Sequence, residues 1–339
     1  MKKWLIKLRF RSAFHAGSDY AGIGLESVNF IFHSDTIFSA IANQWVKLPQ
    51  KGWKISPLPS LNEIVRRLNT DTPPFRLSSA FPFKQEDYYL PTPLGLSSLF
   101  MEDLKDVPYL ELDEFLDLVN QGKTPRHPFS PDEILLGYLS PRVSLDRVTQ
   151  TSNIFFSAGV KFRQGGLYFI LEINDENLIE PLETCLELLA ETGLGGERTA
   201  GYGQFKWEKR DITEKRDITD DNRWKEIWAY KQSNKEPPIY YSLSLTCPRE
   251  EETKFAISYE IIPRKGWIYS EFGPSLKRRT SRMFREGSLF SQPIKGRVID
   301  VRPRYYQKIH AVYRYGLALT LPLSPEHLVQ DVKKLCSED

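Results

Sequence analysis

The sequence has little cysteine and little histidine. Its three cysteines lie far apart, at Cys185, Cys247 and Cys336. They provide neither an even disulfide framework nor the paired CxxC spacing of a zinc site. The five histidines form no HxxxH pair and no HExxH motif. We therefore expect no disulfides, no bound metal and no cofactor, and a reducing, cytoplasmic location.

Long apolar runs are also missing. The first ten residues lack the 7 to 15 residue apolar core of a signal peptide, and no later run approaches ~18 apolar residues. These absences argue against secretion and against membrane spanning. Wholesale disorder is excluded as well, because 40% of the 339 residues are hydrophobic and 13% are aromatic. A chain of this length favours two domains of ~100 to 200 residues each.

The net charge of only +2 hides a strong segregation of charge along the chain. Residues 263–314 contain thirteen Lys or Arg and three acids, so this basic segment carries +10 and the remainder carries −8. A basic stripe raises the local concentration of phosphate, whereas an ordinary surface intersperses the two signs. The pattern predicts a polyanionic partner.

Hydrophobic periodicity predicts an α+β chain with antiparallel sheets. Residues 4–10 alternate apolar and cationic side chains as a strand, and Ser34 or Asp35 is expected to cap the next helix. Residues 142–173 are expected to form a β-meander. A helix with Gly193 as its C-terminal cap should follow.

Composition then divides the chain. We expect an N-terminal domain over residues 1–210, with an irregular, proline-rich insertion over 49–141. A solvated, charged linker should cover residues 211–237. Residues 238–339, which include the basic segment, should form the second domain.

The sharpest local motif is the glycine loop, residues 193–203, with five glycines in eleven residues around Arg198 and Thr199. Glycine permits positive φ, so successive amides can turn toward one anion. The loop lacks GK[ST] and the third glycine of GxGxxG, which argues against the familiar nucleotide motifs. The alternative is a helix cap followed by a tight turn. We favour contact with a phosphate backbone.

The basic segment contains a block of five cations in nine residues, with aromatic residues nearby. Cations neutralise phosphates, and aromatic or guanidinium planes stack on unpaired bases. The alternative is a solvated face. The block comprises Lys277, Arg278, Arg279, Arg282 and Arg285.

Signals for catalysis are sparse, since no serine lies in a GxSxG motif. His15 could act as the base in metal-free RNA cleavage. Contact with RNA, or packing within its own loop, is the favoured interpretation of this histidine. Asp35 is better explained as a helix cap than as a catalytic residue.

Three blocks together resemble the fourth Csm subunits of type III-A CRISPR effector complexes, a family within the RAMP superfamily. They are HSDTIFSAIANQW at 33–45, GLGGERTAGYGQF at 193–205, and GRVIDVR at 296–302 with HAVYRYG at 310–316. The glycine loop alone is shared by many RAMP proteins, including crRNA-processing endonucleases. The first and last blocks make the resemblance specific to the fourth Csm subunits among RAMP proteins.

The resemblance implies two ferredoxin-like, RRM-related domains in tandem and a role without chemistry. The chain would hold the 5′ handle of the crRNA and dock the large, polymerase-palm-containing Csm subunit and the repeated backbone RAMP subunit. A hairpin beginning near residues 147–152 would be a thumb-like projection. The residues expected to contact RNA are His15, Ser34, Arg142, Arg147, Gly193, Gly195, Gly196, Arg198, Thr199, Gly201, Tyr202, Lys277, Arg278, Arg279, Arg282 and Arg285.

Two alternatives stay open. The first is a metal-independent endoribonuclease that cuts the CRISPR repeat, with His15 as base and Arg198 or a nearby lysine stabilising the phosphorane. The second is a protein-interaction module whose basic block meets an acidic partner.

Overall fold

A computed structural model gives the fold. It describes residues 1–17, 28–49, 58–95, 104, 106–126, 129–146, 148–213, 223–228, 238–270, 275–306 and 309–323. The strands are β1 (Lys2–Phe10), β2 (Ala16–Gly17), β3 (Val28–Asn29), β4 (Phe75–Leu77), β5 (Phe81–Lys84), β6 (Asp87–Pro91), β7 (Tyr109–Glu111), β8 (Leu135–Leu145), β9 (Ser152–Phe162), β10 (Gly166–Ile173), β11 (Phe205–Asp211), β12 (Ile239–Ser242), β13 (Ala256–Ser258), β14 (Ile261–Arg264), β15 (Ser281–Phe284), β16 (Leu289–Phe290), β17 (Ile299–Asp300), β18 (Tyr313–Arg314) and β19 (Thr320–Leu323). The helices are α1 (Ser34–Trp45), α2 (Leu61–Leu68), α3 (Leu112–Gln121), α4 (Pro131–Ile134), α5 (Ile179–Thr192) and α6 (Arg223–Trp228).

A seven-stranded antiparallel sheet forms the first half, in the order β11-β1-β10-β5-β6-β7, and β4 also pairs with β10. The predicted first strand is central, with Leu5 opposite Ile170 on one side and Arg210 on the other. Lys7 on this strand is buried, and its Nζ lies 5.0 Å from the Tyr88 ring. The α+β, antiparallel prediction is confirmed.

The proline-rich segment 49–141 is not an irregular insertion. It supplies α2, α3 and strands β4 to β7 of the central sheet. Its strands are only three to five residues long and two of them contain proline. Such short strands are too brief for periodicity to reveal, although their side chains fill the core.

The predicted β-meander is also wrong. β8 and β9 pair with each other as a separate ribbon, whereas β10 pairs with β1, β4 and β5. The turn between β9 and β10 explains the difference. Gly165 has φ +80°, and a Cβ there would lie 1.8 Å from the carbonyl oxygen of Phe83. This turn packs directly on β5, and the chain then continues into the central sheet.

The second half has a four-stranded sheet in the order β13-β16-β12-β19. One hydrophobic cluster includes residues of both halves, from Trp4 to Leu323. Polar contacts cross the same boundary: the Leu77 amide donates to the Tyr315 hydroxyl at 2.8 Å. The two predicted domains therefore share a core.

The predicted linker, residues 211–237, is not uniformly solvated. Strand β11 ends at Asp211, and α6 buries Trp224 against Tyr88 and Tyr168. The composition of this segment did not predict the burial of Trp224, because charged residues outnumber apolar ones there. Residues 214–222 and 229–237 lie outside the described residues. In the described part of the chain, no helix is long and apolar enough to cross a membrane.

Candidate nucleic-acid interface

A cleft of about 630 Å³ lies between the two halves; we name it the interdomain cleft. Its lining comes from the segment after β1, the start of α1, the glycine loop and the basic segment. Among the described lining residues, six are cations and Asp35 is the one acid. The cations are Arg198, Arg264, Lys265, Lys277, Arg278 and Arg314.

The glycine loop forms one wall of this cleft. Helix α5 ends at Gly193, which has φ +85°, so the predicted C-terminal cap is confirmed. The loop then folds back on itself: the Leu194 amide donates to the Gly203 carbonyl at 2.9 Å. A Cβ at Gly203 would lie 2.2 Å from the Leu194 carbonyl oxygen. Glycine is thus required here by space as well as by φ.

Much of the predicted nest of amides in the glycine loop is used inside the protein. Amides at its two ends donate to protein carbonyls, including Gly196 to His15 at 2.8 Å and Gly203 to Ala13 at 2.7 Å. Amides 193, 194, 196 and 200 to 203 all have such partners. The loop therefore shapes the wall, and its main cationic contribution to the cleft is Arg198.

His15, a predicted RNA-contact residue, lies in the same wall. Gly195 and Gly196 pack on it so closely that a Cβ at Gly196 would lie 2.9 Å from the imidazole Cδ2. The His15 Nδ1 donates to the Ala158 carbonyl at 2.9 Å, and the residue is 7% exposed. Because Nδ1 holds the proton of the neutral ring, Nε2 is its acceptor nitrogen.

Two exposed aromatic residues stand on the opposite wall. Trp267 is 53% exposed and Tyr269 is 51% exposed. The Arg198 guanidinium lies 4.7 Å from the Tyr269 ring centroid, and the Lys277 ammonium lies 5.4 Å from that of Trp267. These pairs place cations beside flat apolar faces, the combination that single-stranded nucleic acid requires.

The start of α1 forms the floor of the cleft. The helix cap is His33, not Ser34 or Asp35 as predicted. Asp35 instead accepts hydrogen bonds from Arg264 at 2.9 Å and from Arg314 at 2.7 Å. Burial opposes the charge of this carboxylate, but the two guanidinium groups outweigh burial and hold the pKa of Asp35 well below its usual range.

Ser34 is not exposed, although the predicted RNA contact would require exposure. It is fully buried, its amide donates to the Ser79 hydroxyl, and its hydroxyl accepts from the Leu245 amide at 3.1 Å. The polar residues that begin α1 are therefore used to join the two halves.

A second buried contact joins the halves beside Ser34. The His33 Nδ1 lies 2.9 Å from a Glu286 carboxylate oxygen, which also accepts from the Ser79 hydroxyl. Burial raises the pKa of Glu286, yet His33 and Ser79 outweigh it, so the pKa is lower than normal. The same carboxylate oxygen therefore binds both His33 and Ser79 and joins them across the boundary.

The basic block divides between different surfaces. Lys277 and Arg278 line the cleft, and their contact with RNA stays a prediction. Arg279 donates to the Asp300 carbonyl and lines a separate cavity, and Arg285 pairs with Glu260 at 2.6 Å. Arg282 is exposed on β15, outside the cleft lining. A run of cations in sequence is therefore not one surface.

Other predicted residues lie around the glycine loop but outside the lining of the cleft. Arg142 pairs with Glu197 at 2.6 Å and lies over the Tyr202 ring at 5.5 Å. Thr199 and Gly201 are exposed. Arg147 lies outside the described residues.

The resemblance implied a hairpin beginning near residues 147–152; the β8–β9 ribbon instead begins at Leu135, and Leu145 pairs with Ser152 at its far end. Cross-strand partners share a face of a ribbon. On one face, Val143 stands opposite Ile154, and both are exposed. Phe156 extends the same apolar face.

We name the wall opposite the glycine loop, which residues of the basic segment form, the basic-segment wall. Most of its residues were not predicted individually as site residues. Arg264, Lys265, Trp267 and Tyr269 occur within six residues, and this alternation of cations and aromatics was an available signal. Arg314 carries no comparable local signal. Among the described residues, no group of three His, Cys, Asp or Glu side chains could hold a metal ion.

Comparisons with known proteins match both halves. The RAMP superfamily model matches residues 7–206, and the CRISPR Csm4 C-terminal domain model matches residues 235–323. The chain is 29% identical over 308 residues to the CRISPR system Cms protein Csm4 of Thermococcus onnurineus, covering 86% of this chain and 91% of that relative.

Solved structures share the fold. A chain of the Csm3-Csm4 subcomplex in the type III-A CRISPR-Cas interference complex matches with a TM-score of 0.64 and 20% identity, covering 96% of this chain and 100% of that chain. A chain of the Csm1-Csm4 cassette in complex with cA4 matches with a TM-score of 0.59 and 19% identity, covering 96% and 98%.

Proposed function

The chain belongs to the RAMP superfamily, and from that premise we propose that it is a non-catalytic, crRNA-binding scaffold subunit of a type III-A CRISPR interference complex. It holds the 5′ handle of the crRNA in the interdomain cleft. The observation that carries the proposal is the lining of that cleft, where six cations and one acid stand beside two exposed aromatic residues.

The chemistry of the cleft suits a single strand. Lys and Arg neutralise phosphates, and Trp267 and Tyr269 offer faces on which unpaired bases stack. A duplex would hide its bases from both aromatic rings. If about five phosphates are neutralised, the logarithm of affinity should fall with the logarithm of salt concentration at a slope of about −3.5.

The proposed absence of catalysis rests on the surroundings of His15. RNA cleavage without metal needs a base and an acid placed around one phosphate. His15 is nearly buried, which limits the access of a 2′-hydroxyl to its acceptor nitrogen Nε2. The nearby carboxylate, Asp35, is bound by two guanidinium groups. The endoribonuclease alternative keeps one supporting observation, namely that His15 lines the cleft.

Labelled CRISPR-repeat RNA incubated with the purified protein in EDTA tests this proposal. We expect binding without product. Arg198→Ala should weaken binding about tenfold and reduce the magnitude of the salt slope by about 0.7, because one phosphate contact is lost. Arg304→Ala removes an exposed cation of the basic segment outside the cleft and serves as the matched control. Cleavage that His15→Ala abolishes would overturn the scaffold role.

The proposed protein partners are the large subunit and the backbone RAMP subunit. Support comes from the matched structures, whose names pair Csm4 with Csm1 and with Csm3. The division of the basic block makes the interaction-module alternative testable. Arg278→Ala should weaken RNA binding, whereas the double variant Arg279→Ala with Arg282→Ala should not. Loss of subunit binding with unchanged RNA affinity in both variants would favour an acidic protein partner.

A further inference from the structure

The floor of the interdomain cleft holds more positive charge than its carboxylate can balance. We name Asp35, Arg264, Arg278 and Arg314 the floor cluster; all four line the cleft. Asp35 receives Arg264 through Nε at 3.1 Å and Nη2 at 2.9 Å, and Arg314 through Nη1 at 2.7 Å. Within this cluster of described residues, three guanidinium groups face one carboxylate, an excess of two positive charges.

Burial makes this excess costly. Arg314 is 2% exposed, and its Nε is a buried donor with no hydrogen-bond partner. The remaining Arg314 nitrogen, Nη2, donates to the Lys265 carbonyl at 3.0 Å. Arg314 therefore carries an unsatisfied, charged donor, which costs more free energy than a neutral one.

Arg278 adds to the crowding of like charge. Its Nη2 donates to the Ser39 hydroxyl at 3.1 Å, and its Nε donates to the Trp267 carbonyl, so both contacts are neutral. Burial, and then the charge of Arg314, lower the pKa of the Arg278 guanidinium to about 10. A shift in this direction means that the surroundings resist its charge.

Resting on the proposed function, we infer that the floor cluster is a seat for one phosphate group of the bound RNA, which acts as the missing counter-ion. Arg264 is 13% exposed at its side chain and Lys265 is exposed, so both can meet a ligand in the cleft. A phosphate offers strong acceptor oxygens to guanidinium groups, and Arg binds it through paired N–H groups.

The location of the seat links RNA binding to folding. Asp35 belongs to the first half of the chain, whereas Arg264, Arg278 and Arg314 belong to the second. A phosphate that relieves repulsion among these three guanidinium groups also strengthens the contact between the halves. Occupancy should therefore raise the unfolding temperature of the whole protein.

Inorganic phosphate is a suitable probe, titrated into the full chain at constant ionic strength with sodium chloride as the balancing salt. Thermal unfolding of the wild type should shift upward by roughly 3 °C at about ten times the dissociation constant. Arg278→Gln should lose this shift and weaken RNA binding about tenfold. Arg304 is an exposed cation outside the cleft, so Arg304→Gln should keep both the phosphate-induced shift and the RNA affinity.

The proposed phosphate seat would be contradicted if phosphate raised the unfolding temperature equally in Arg278→Gln and Arg304→Gln. It would also be contradicted if phosphate did not raise the unfolding temperature of the wild type. Should Arg278→Gln fail to fold, Lys265→Gln replaces it, because that residue is exposed, and the same loss of response is required. The two proposals fail separately. RNA binding without a phosphate response contradicts the seat alone, whereas a phosphate response without RNA binding contradicts the proposed function alone.

Discussion

The two walls of the interdomain cleft are held in place by opposite means. The glycine loop is fixed by backbone shape, since a Cβ at Gly203 or Gly193 would meet a carbonyl oxygen at 2.2 or 2.4 Å. The basic-segment wall is fixed by charge, through the contacts of Arg264 and Arg314 with Asp35. One wall depends on the absence of side chains and the other on a single buried carboxylate.

The largest expected effect comes from removing that carboxylate. Asp35→Asn removes the carboxylate that Arg314 and Arg264 bind, and breaking such a buried pair costs about 3–5 kcal/mol. Chemical denaturation should show this loss in the free energy of unfolding. Asp71→Asn is the control, because Asp71 pairs with Lys295 at an exposed site and its loss should change little. Similar losses in both variants would contradict the role of Asp35 as the anchor of this wall.

Alanine substitutions at two glycines with nearly equal φ test the glycine-loop wall. Gly203 has φ +81° and Gly201 has φ +82°, but only Gly203 lacks space for a Cβ. Gly201→Ala should cost about 1–2 kcal/mol from φ alone. Gly203→Ala should cost roughly 1–3 kcal/mol more, because the loop must also shift. Equal unfolding free energies for the two variants would show that spacing does not fix this wall.

The aromatic part of the basic-segment wall should matter for RNA and not for folding. Trp267→Ala should lower the affinity for single-stranded repeat RNA by about 1–3 kcal/mol, the usual range for loss of base stacking. Tyr305→Ala is the control, since this residue is 91% exposed and outside the cleft lining. Fluorescence anisotropy would measure both. If the Tyr305 variant loses as much affinity as the Trp267 variant, RNA does not run along this wall.

The smallest expected effect is a difference in acid sensitivity. The pKa values of Asp35 and Glu286 are lowered in the folded state, so the unfolded chain binds more protons below about pH 4. Their contribution is present above that pH and is lost as the pH falls through the folded-state pKa values. Each carboxylate adds at most about 1.4 kcal/mol per pH unit to the slope of stability. Acid titration of Asp35→Asn should show a shallower slope; an unchanged slope would contradict this linkage.

Much of the fold could be predicted where the sequence signal was long and regular. The first strand, the helix that ends at Gly193, and the α+β class all followed from periodicity and capping. The short strands of segment 49–141 did not, because three to five residues carry too few alternations. The sequence also did not predict that β10 and β9 lie in different sheets, since this depends on the contact of Gly165 with β5.

The structure brings together some of the predicted site residues, while their contact with RNA stays a prediction. His15, Lys277, Arg278 and the first part of the glycine loop with Arg198 line the cleft. The sequence also pointed to Ser34, which the structure buries, and to Arg285, which Glu260 pairs. These errors share a cause. Residue type and local spacing do not reveal which side chains another part of the chain will cover.

The sequence by itself determined that this chain has the glycine loop and the basic segment, because glycine content and charge are properties of individual residues. Only the tertiary structure decided that the two lie across one cleft, and that Asp35 binds two cations of the segment. The reason is that Asp35 and Arg314 are separated by 279 positions. Contacts at such separations arise from packing of the shared core, which no local pattern specifies.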